Sequence, residues 1–275
     1  MNASTITSHI VDWMRSYALE ARAKGFVIGV SGGIDSAVTS ALAARTGLEV
    51  HLLEMPVYQP ESHVNRAWEH MDLLTDQFEN VFKRRVDLSP VYEAHVKALD
   101  LEDSDSQFLA LANLRARLRM ATLYAEGQNH SLLVAGTGNK VEDFGVGFYT
   151  KYGDGGVDLS PIADLMKTEV YALGAYLGVP KSILKAAPTD GLWSDDRNDE
   201  DQLGASYPEL EWAMEFAVNM GWDATTPKEA DGRFLAGRGL TVRQGEIFQI
   251  YARFHRANRH KMQPIPVCVV PKYLK

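Results

Sequence analysis

A short loop between two regular patterns combines glycines, hydroxyls and a carboxylate. Residues 31–36 read SGGIDS, directly after the apolar run GFVIGV and directly before a helical pattern. A strand that passes through two glycines into a helix places backbone N–H groups at the positive end of the helix dipole, where phosphate groups bind. The loop lacks the lysine of the Walker-type phosphate loop and carries Asp35 instead. The pattern alone also fits a simple turn in which Asp35 and Ser36 cap the helix.

A second chemically rich segment covers residues 136–158, with the sequence GTGNKVEDFGVGFYTKYGDGGVD. It is rich in glycine and mixes lysines with the carboxylates of Glu142, Asp154 and Asp158. A flexible, solvated loop is one interpretation. The aromatic residues of the segment oppose it, and loops of this length usually have a function. We therefore expect an ordered functional loop.

Three arginines alternate with apolar residues in NLRARLRM, residues 113–120. Arg115 and Arg119 lie one helical turn apart, and Arg117 faces another side. A solvated basic face would explain this spacing, but the intervening leucines indicate that the helix is largely covered. A covered arginine needs an anionic or hydrogen-bonding partner.

The elements that must position these residues alternate along the chain. Apolar runs predict strands over 25–30, 49–57, 79–88 and 130–137, and helical patterns lie near 35–46, 61–77 and 105–127. A further helix is expected from about Asp164 to Leu177. This alternation predicts an α/β fold, a doubly wound parallel sheet with helices on both faces. Ligands bind at the carboxyl ends of such strands, so residues 31–36 and 136–143 should converge on one crevice.

Composition narrows the class of protein. The 275 residues predict one domain or at most two, and 45% hydrophobic with 23% charged residues is ordinary for a soluble globular protein. A net charge of −8 disfavours non-specific nucleic-acid binding. No apolar stretch reaches the roughly 20 residues of a membrane span, and the N-terminus does not resemble a signal peptide, so we expect no membrane partner and a cytoplasmic location. The single cysteine, Cys268, has apolar neighbours and is expected to be a packed, inert thiol.

The loop at 31–36 resembles the SGGxDS loop of the N-type ATP pyrophosphatases, which hold the pyrophosphate end of ATP while transferring AMP to a substrate oxygen. Further segments follow in the order found in ammonia-dependent NAD synthetases, from about residue 5 to 262: NxxARxRM, GT with a glutamate five residues later, FxTKYGDGG, LMKTEV, APT and HK. The string TKYGDGG is highly specific to that family. The resemblance implies a Rossmann-like fold of the adenine nucleotide alpha hydrolase type, in a single domain of residues 1–275 whose loops and helices after about 137 complete the site.

The resemblance also implies a two-step reaction. ATP adenylates the nicotinate carboxylate of deamido-NAD, and ammonia then displaces AMP to give NAD. ATP is a co-substrate, Mg²⁺ the cofactor and a homodimer the expected assembly. The absence of an evident glutaminase cysteine favours free ammonia as the nitrogen donor.

The residue roles that the resemblance implies fall into four groups. ATP would be bound by Gly29, Val30, Ser31, Gly32, Gly33, Ile34, Asp35, Ser36, Thr137, Lys167 and Thr189. Deamido-NAD would be contacted by Arg117, Lys151, Asp158, His260 and Lys261. Mg²⁺ would be held by Asp35 and Glu142, and catalysis would rest on Asp35, Lys151 and Lys167.

Two alternatives and one departure stay open at this point. Another adenylating enzyme, similar to GMP synthetase or an RNA-modifying enzyme, would share the SGGxDS loop. A non-catalytic nucleotide sensor would share the fold. In addition, Glu54 stands two residues before the proline that follows the second strand, where many relatives have an arginine.

Overall fold

A four-stranded parallel sheet forms the centre of the molecule in the computed structural model, which describes residues 1–59, 61–100, 105–188 and 199–275. The strands are β1 (Gly25–Gly29), β2 (Glu49–Glu54), β3 (Val81–Arg85) and β4 (Leu132–Val134), in the order β3-β2-β1-β4. The chain moves outward from β1 to β3 and then crosses to the other side of β1. The carboxyl ends of β1 and β4 therefore flank the point where the strand order reverses, which is where ligands bind in such sheets.

The helices connect the strands and complete the C-terminal half. Their bounds are α1 Ala3–Glu20, α2 Ile34–Ala44, α3 Glu61–Gln77, α4 Ser89–Leu99, α5 Asp105–His130, α6 Lys167–Leu177, α7 Lys181–Leu184, α8 Asp199–Leu203, α9 Tyr207–Asn219, α10 Asp231–Leu235 and α11 Val242–Met262. A short π-helical segment, Val141–Val146, follows β4. Among the described helices, none combines the length and hydropathy that crossing a membrane requires.

Apolar packing covers both faces of the sheet. On one face, Phe26 and Ile28 of β1 pack in a buried cluster with residues of α1, α2, α3 and α6. On the other face, Val27 of β1 packs in a cluster with Tyr92 of α4 and the leucines of α5. Successive strand residues point to opposite faces, so a nearly continuous apolar strand is what a sheet buried on both sides requires. The predicted α/β fold with helices on both faces is confirmed.

A third buried cluster joins the segment after β4 to the C-terminal helices. Val141 and Val146 of the π-helical segment pack against Leu210 of α9 and Phe248 of α11. At Gly145, an added Cβ would lie 2.5 Å from the sulfur of Met214, so a larger residue there would displace that side chain. The C-terminal helices thus hold the glycine-rich segment in place.

The predicted strands are longer than the observed ones. β2 ends at Glu54 because its neighbour β1 ends at Gly29, opposite Leu53, and Pro56 cannot donate a ladder hydrogen bond. β4 is three residues long because it pairs only with residues 25–27 of β1, and His130 still belongs to α5. The helices predicted near 35–46, 61–77, 105–127 and 164–177 are confirmed with small shifts of their ends.

Two expectations are wrong. Helix α4 is missing from the sequence prediction, because its residues are mostly exposed and Tyr92 alone is buried. Cys268 is exposed rather than packed, since the segment after α11 extends along the surface. Its apolar neighbours therefore do not bury it.

Candidate active site

A cavity of about 710 Å³ opens at the carboxyl ends of β1, β2 and β4. Its walls come from the loop 29–36, from α5, from residues 135–157 and from the end of α11. The two loops predicted to converge, 31–36 and 136–143, both line it. A volume of this size suits a nucleotide-sized ligand.

The loop before α2 is closed by its own hydroxyl groups. The backbone N–H of Ser31 donates to Oγ of Ser36 over 3.2 Å, and the N–H of Gly33 donates to Oγ of Ser31 over 3.2 Å. Gly32 has φ +81°, and an added Cβ would lie 2.5 Å from the carbonyl oxygen of His63, so glycine is required there. Helix α2 has no side-chain cap at Gly33, which leaves its N-terminal dipole directed at the cavity.

Asp35, the second residue of α2, does not cap that helix. Its Oδ2 accepts a hydrogen bond from Nζ of Lys167 over 2.6 Å, and its Oδ1 accepts one from Nδ2 of Asn139 over 3.0 Å. The same Nζ donates to Oε1 of Glu142 over 2.9 Å. One buried ammonium therefore bridges the two carboxylates that were predicted to hold a metal ion.

Two neighbouring residues orient Glu142. The side-chain oxygen of Asn139 accepts from the backbone N–H groups of Val141 and Glu142, which fixes the start of the π-helical segment. The hydroxyl of Tyr207 donates to Oε1 of Glu142 over 2.6 Å, and its ring lies 4.6 Å from Nζ of Lys167. Asn139 thus joins the two carboxylates, and Tyr207 closes the group from the side of α9.

The electrostatics of this group follow from burial and from the shared ammonium. Burial alone would lower the pKa of Lys167, but Asp35 and Glu142 outweigh it and raise that pKa above its usual value. Burial raises the pKa of Asp35 against the opposing effect of Lys167. At Glu142, burial acts upward, but Lys167 and the Tyr207 hydroxyl outweigh it and hold the pKa below its usual range. The ammonium thus stays charged throughout the neutral range of pH.

Two more carboxylates line the cavity beside this group. Burial, with the charges of Glu142 and Asp154, raises the pKa of Asp143 to about 8. Asp154 accepts a hydrogen bond from the backbone N–H of Thr150, and burial raises its pKa as well. An added Cβ at Gly138 would lie 2.2 Å from the Asp143 carboxylate, so glycine makes room for that side chain.

The opposite wall is basic. Nζ of Lys261 donates to the carbonyl oxygens of Gly147 and Tyr149 over 2.5 and 2.7 Å. Nζ of Lys151 donates to the carbonyl oxygen of His260 over 2.9 Å. These contacts fasten the end of α11 to the glycine-rich segment, and both lysines line the cavity.

The arginines of α5 differ in their surroundings. Arg117 is exposed, lines the cavity and donates to the carbonyl oxygen of Lys151 over 3.4 Å. Arg119 is partly buried, donates to the carbonyl oxygen of Met55 over 3.0 Å, and burial lowers its pKa to about 10. The helix is therefore covered along one side, and both arginines line the cavity, Arg117 from an exposed and Arg119 from a partly buried position.

Most of the predicted site residues line one cavity. Gly29, Val30, Ser31, Gly32, Gly33, Ile34, Asp35, Ser36, Arg117, Thr137, Glu142, Lys151, Lys167, His260 and Lys261 all belong to its wall. Asp158 is not among the lining residues, because its carboxylate accepts hydrogen bonds from the backbone N–H of Val134 and the hydroxyl of Tyr124. Thr189 lies outside the described residues.

The sequence predictions do not include Asn139, Asp143, Asp154 and Tyr207 as site residues. Asn139 and Asp143 belong to the segment GTGNKVED, whose density of polar residues directly after a strand is a signal that points to them. Tyr207 lies on α9, far along the chain from any motif, and only the fold brings it to Glu142.

Comparison with known proteins identifies the family. Residues 6–231 match the family described as NAD synthase. The chain belongs to the NAD synthase family. It is 39% identical over 222 residues to the NH3-dependent NAD+ synthetase of Mycoplasma pneumoniae, covering 80% of this chain and 85% of that protein. It is 36% identical over 260 residues to the NH3-dependent NAD+ synthetase of Carboxydothermus hydrogenoformans, covering 93% of both.

A solved structure supports the fold. The structure of NMN synthetase from Francisella tularensis has a TM-score of 0.78 and 31% sequence identity, and the match covers 99% of each chain. The resemblance deduced from the motifs is therefore confirmed, as is the expectation of an enzyme of the ligase class in NAD biosynthesis.

Proposed function

We propose that this NAD synthase converts deamido-NAD to NAD with free ammonia, while ATP is split into AMP and pyrophosphate. The observation that carries the proposal is the buried Asp35–Lys167–Glu142 group directly below an uncapped helix N-terminus. A helix N-terminus attracts phosphate. The two carboxylates attract a divalent cation, which can bind the phosphates at the same time.

The first step makes a poor electrophile reactive. A carboxylate oxygen of the nicotinate group attacks the α-phosphorus of ATP, the bond to the β-phosphate oxygen breaks, and pyrophosphate leaves. The loop 31–36 would hold the leaving pyrophosphate through backbone N–H groups of α2. Lys167 and Lys151 would supply positive charge to the phosphoryl group as it is transferred.

The second step uses the mixed anhydride formed in the first. Ammonia attacks the carbonyl carbon, the nicotinamide C–N bond forms, and AMP leaves with the electron pair of the broken C–O bond, while the attacking nitrogen releases one proton to water. Arg117, Lys151, His260 and Lys261 would contact the dinucleotide on the basic wall. Asp158 would contribute indirectly, by holding β4 in place, since its carboxylate accepts hydrogen bonds from the backbone N–H of Val134 and the hydroxyl of Tyr124.

The residues present fit Mg²⁺. Asp35 and Glu142 offer hard oxygen donors, and one Nζ lies within 2.9 Å of both carboxylates, so their oxygens converge on a volume that a cation can fill. When bound there, Mg²⁺ would neutralise charge on the phosphates of ATP. Asn139 and Tyr207 would keep the two carboxylates in position.

We also propose that residues 1–275 form one domain and that the chain forms a homodimer. The cavity wall combines residues before and after position 137, which supports a single domain. Phe108 and Leu109 are exposed on α5, the helix that also carries Arg117. An apolar pair at the surface supports an interface there. Light scattering should give twice the chain mass, and Phe108→Glu should reduce it to one chain; Leu109 also lines the cavity and is therefore left unchanged.

One assay tests the activity. The protein is incubated with ATP, Mg²⁺, ammonium and deamido-NAD, and NAD, AMP and pyrophosphate are measured. We expect one pyrophosphate per NAD, abolition by Asp35→Ala with the fold intact, and no effect of Asp164→Ala, whose carboxylate is exposed and pairs with Lys140. Pyrophosphate release that does not depend on deamido-NAD would refute the substrate. ATP binding with no pyrophosphate release would identify a sensor instead.

A second candidate substrate is the mononucleotide. The similarity to the NMN synthetase of Francisella tularensis extends over 99% of both chains and favours it. NMN would arise by the same amidation of the corresponding nicotinate mononucleotide. Parallel measurement of kcat/KM with deamido-NAD and with nicotinate mononucleotide distinguishes the two, and a tenfold preference for the mononucleotide would replace the dinucleotide as the substrate.

A further inference from the structure

A second cluster of ligand-type side chains lies at the other end of the sheet. Glu49 and His51 are two residues apart on β2 and therefore project from the same face. Glu126 and His130 are four residues apart in the last turns of α5 and lie on one side of that helix. Glu49 begins β2, whose last residue lines the cavity, so about 16 Å of strand separate this cluster from the active site.

The side chains are close enough to share one ion. One ligand atom each of Glu49, His51 and His130 lie within 4.8 Å of one another. Nε2 of His51 is 2.9 Å from Oε1 of Glu49, and the two imidazole rings have centroids 4.4 Å apart. Ligand atoms around a tetrahedral Zn²⁺ are about 3.4 Å apart at bond lengths of about 2.1 Å. Small side-chain rotations therefore bring the three to coordination distance.

The surroundings of His51 require a cation. Its Nδ1 lies 3.1 Å from Oε1 of Glu126, and its Nε2 faces Glu49. A neutral imidazole has one N–H, so it can donate to one of these carboxylates only. The other nitrogen then faces a carboxylate across either a second proton or a metal ion. The side chain of His51 is only 14% exposed, so water screens this contact poorly.

The roles of Glu126 and His130 favour a metal ion over a proton. A metal-bound histidine commonly donates its other N–H to a carboxylate, which fixes the tautomer and the ring orientation. Glu126 is placed to accept from Nδ1 of His51, and its second oxygen accepts from Arg84 over 3.1 Å. A proton shared by His51 and Glu49 needs no third ligand, whereas His130 adds a third ligand atom within 4.8 Å of theirs. Nε2 of His130 also lies 3.1 Å from Nδ2 of Asn129 and 3.6 Å from Oε1 of Glu126.

We propose that Glu49, His51 and His130 bind a divalent cation of the Zn²⁺ type, with Glu126 orienting His51. Two imidazoles and one carboxylate suit Zn²⁺ and its neighbours, whereas Mg²⁺ prefers oxygen ligands. The site is separate from the Asp35–Glu142 pair in chemistry and in place. Because it joins β2 to the end of α5, its ion stabilises the fold rather than taking part in the reaction.

Zn²⁺ titration of untagged, metal-stripped full-length protein at pH 7.5 tests the proposal. We expect one Zn²⁺ per chain by calorimetry and a rise in Tm of about 5 °C at free Zn²⁺ 100 times above Kd. His51→Gln and His130→Gln should abolish both effects. His95→Gln is the matched control, because this exposed histidine lies on α4 with its Nδ1 3.0 Å from the carbonyl oxygen of Val91 and should leave both effects unchanged.

Two further variants keep the result unambiguous. Glu49→Gln changes a side chain that is 32% exposed, and it should weaken Zn²⁺ binding at least tenfold even if a histidine variant fails to fold. Asp35→Asn should retain the Zn²⁺-induced rise in Tm, which separates this site from the cavity. Three results would each overturn the proposal. The Zn²⁺-induced rise in Tm could be lost in Asp35→Asn, or it could persist in both histidine variants. The Tm of the wild-type protein could also respond to pH but not to Zn²⁺.

Discussion

Replacement of Lys167 by methionine is the sharpest test of the buried charge group. The Nζ of Lys167 lies 2.6 Å from Asp35 and 2.9 Å from Glu142, and the residue is 3% exposed. Removing one partner of a buried ion pair costs about 3–5 kcal/mol, because an uncompensated charge stays in the interior. Methionine has a similar length, so Lys167→Met removes the charge without leaving a large cavity. We expect the free energy of unfolding at pH 7.5, without divalent cations, to fall by about 3–5 kcal/mol.

The sign of the pH dependence follows from the carboxylates. Without the ammonium, burial raises the pKa of Asp35 and Glu142 in the folded state above that in the unfolded chain. A carboxyl group with a raised folded-state pKa stabilises the fold fully below its unfolded pKa, and this stabilisation is lost as the pH rises through the folded pKa. The penalty of Lys167→Met should therefore be smaller at pH 5 than at pH 7.5.

The assay is urea unfolding followed by tryptophan fluorescence at both pH values in EDTA. The triple variant Asp35→Asn, Glu142→Gln, Lys167→Met should recover most of the lost stability, since no charge remains to be compensated. Lys140→Met is the matched control. Its Nζ pairs with the exposed Asp164 over 2.8 Å, and such surface pairs contribute about 0–1 kcal/mol.

Two further measurements complete this test: the rate of NAD synthesis and the effect of Mg²⁺ on stability. In the proposed reaction Lys167 supplies positive charge to the transferring phosphoryl group, so its loss should lower kcat by about 10²–10³. Mg²⁺ should restore more stability in Lys167→Met than in the wild-type chain, because it can take the place of the ammonium beside Asp35 and Glu142. A loss of stability below about 1 kcal/mol, or an equal loss at both pH values, would refute the account of a buried, charge-compensated group.

Three more substitutions probe the same fold. Gly138→Ala should lower kcat/KM at least tenfold with an unchanged circular dichroism spectrum, because the new Cβ would meet the Asp143 carboxylate at 2.2 Å. Tyr207→Phe removes the 2.6 Å bond to Glu142 and should lower the unfolding free energy by about 1.5–3 kcal/mol in urea. Burial lowers the pKa of His70 to about 4, below its unfolded value near 6.5. Unfolding free energy should therefore fall by up to about 3 kcal/mol from pH 6.5 to 4, and much less in His70→Gln.

The sheet and its neighbouring helices were predictable because their apolar residues form continuous runs in the strands and recur at helical spacing in the helices. β1 is buried on both faces, so GFVIGV is a continuous apolar run, and the helix after it begins where the run meets Gly32 and Gly33. Strand ends were less predictable, because they depend on where the partner strand ends, as at Glu54. Helix α4 buries Tyr92 alone, and Val96 one turn later is only partly buried, so its apolar stripe is short and easily missed.

The part of the site that lies directly after the strands was predictable from the sequence. The residues of the loop 31–36 and of 136–143 could be expected to meet, because both follow parallel strands that end at one edge. The contact of Lys167 with Asp35 spans 132 positions, and that of Tyr207 with Glu142 spans 65. No local pattern encodes such pairings. They depend on the packing of α6 and α9 against the rest of the fold.

The same distances explain why a loop that we propose to bind phosphate carries a carboxylate, Asp35. The ammonium of Lys167 pairs with Asp35 and Glu142. The negative charge of these two carboxylates is therefore partly neutralised before a ligand binds. Lys167 can turn to a phosphate only by leaving at least one of these carboxylates. Leaving a buried carboxylate unpaired costs several kcal/mol, so another cation must take its place beside Asp35 and Glu142. We infer that phosphate contact by Lys167 and cation binding by the two carboxylates are coupled, and that neither is tight without the other.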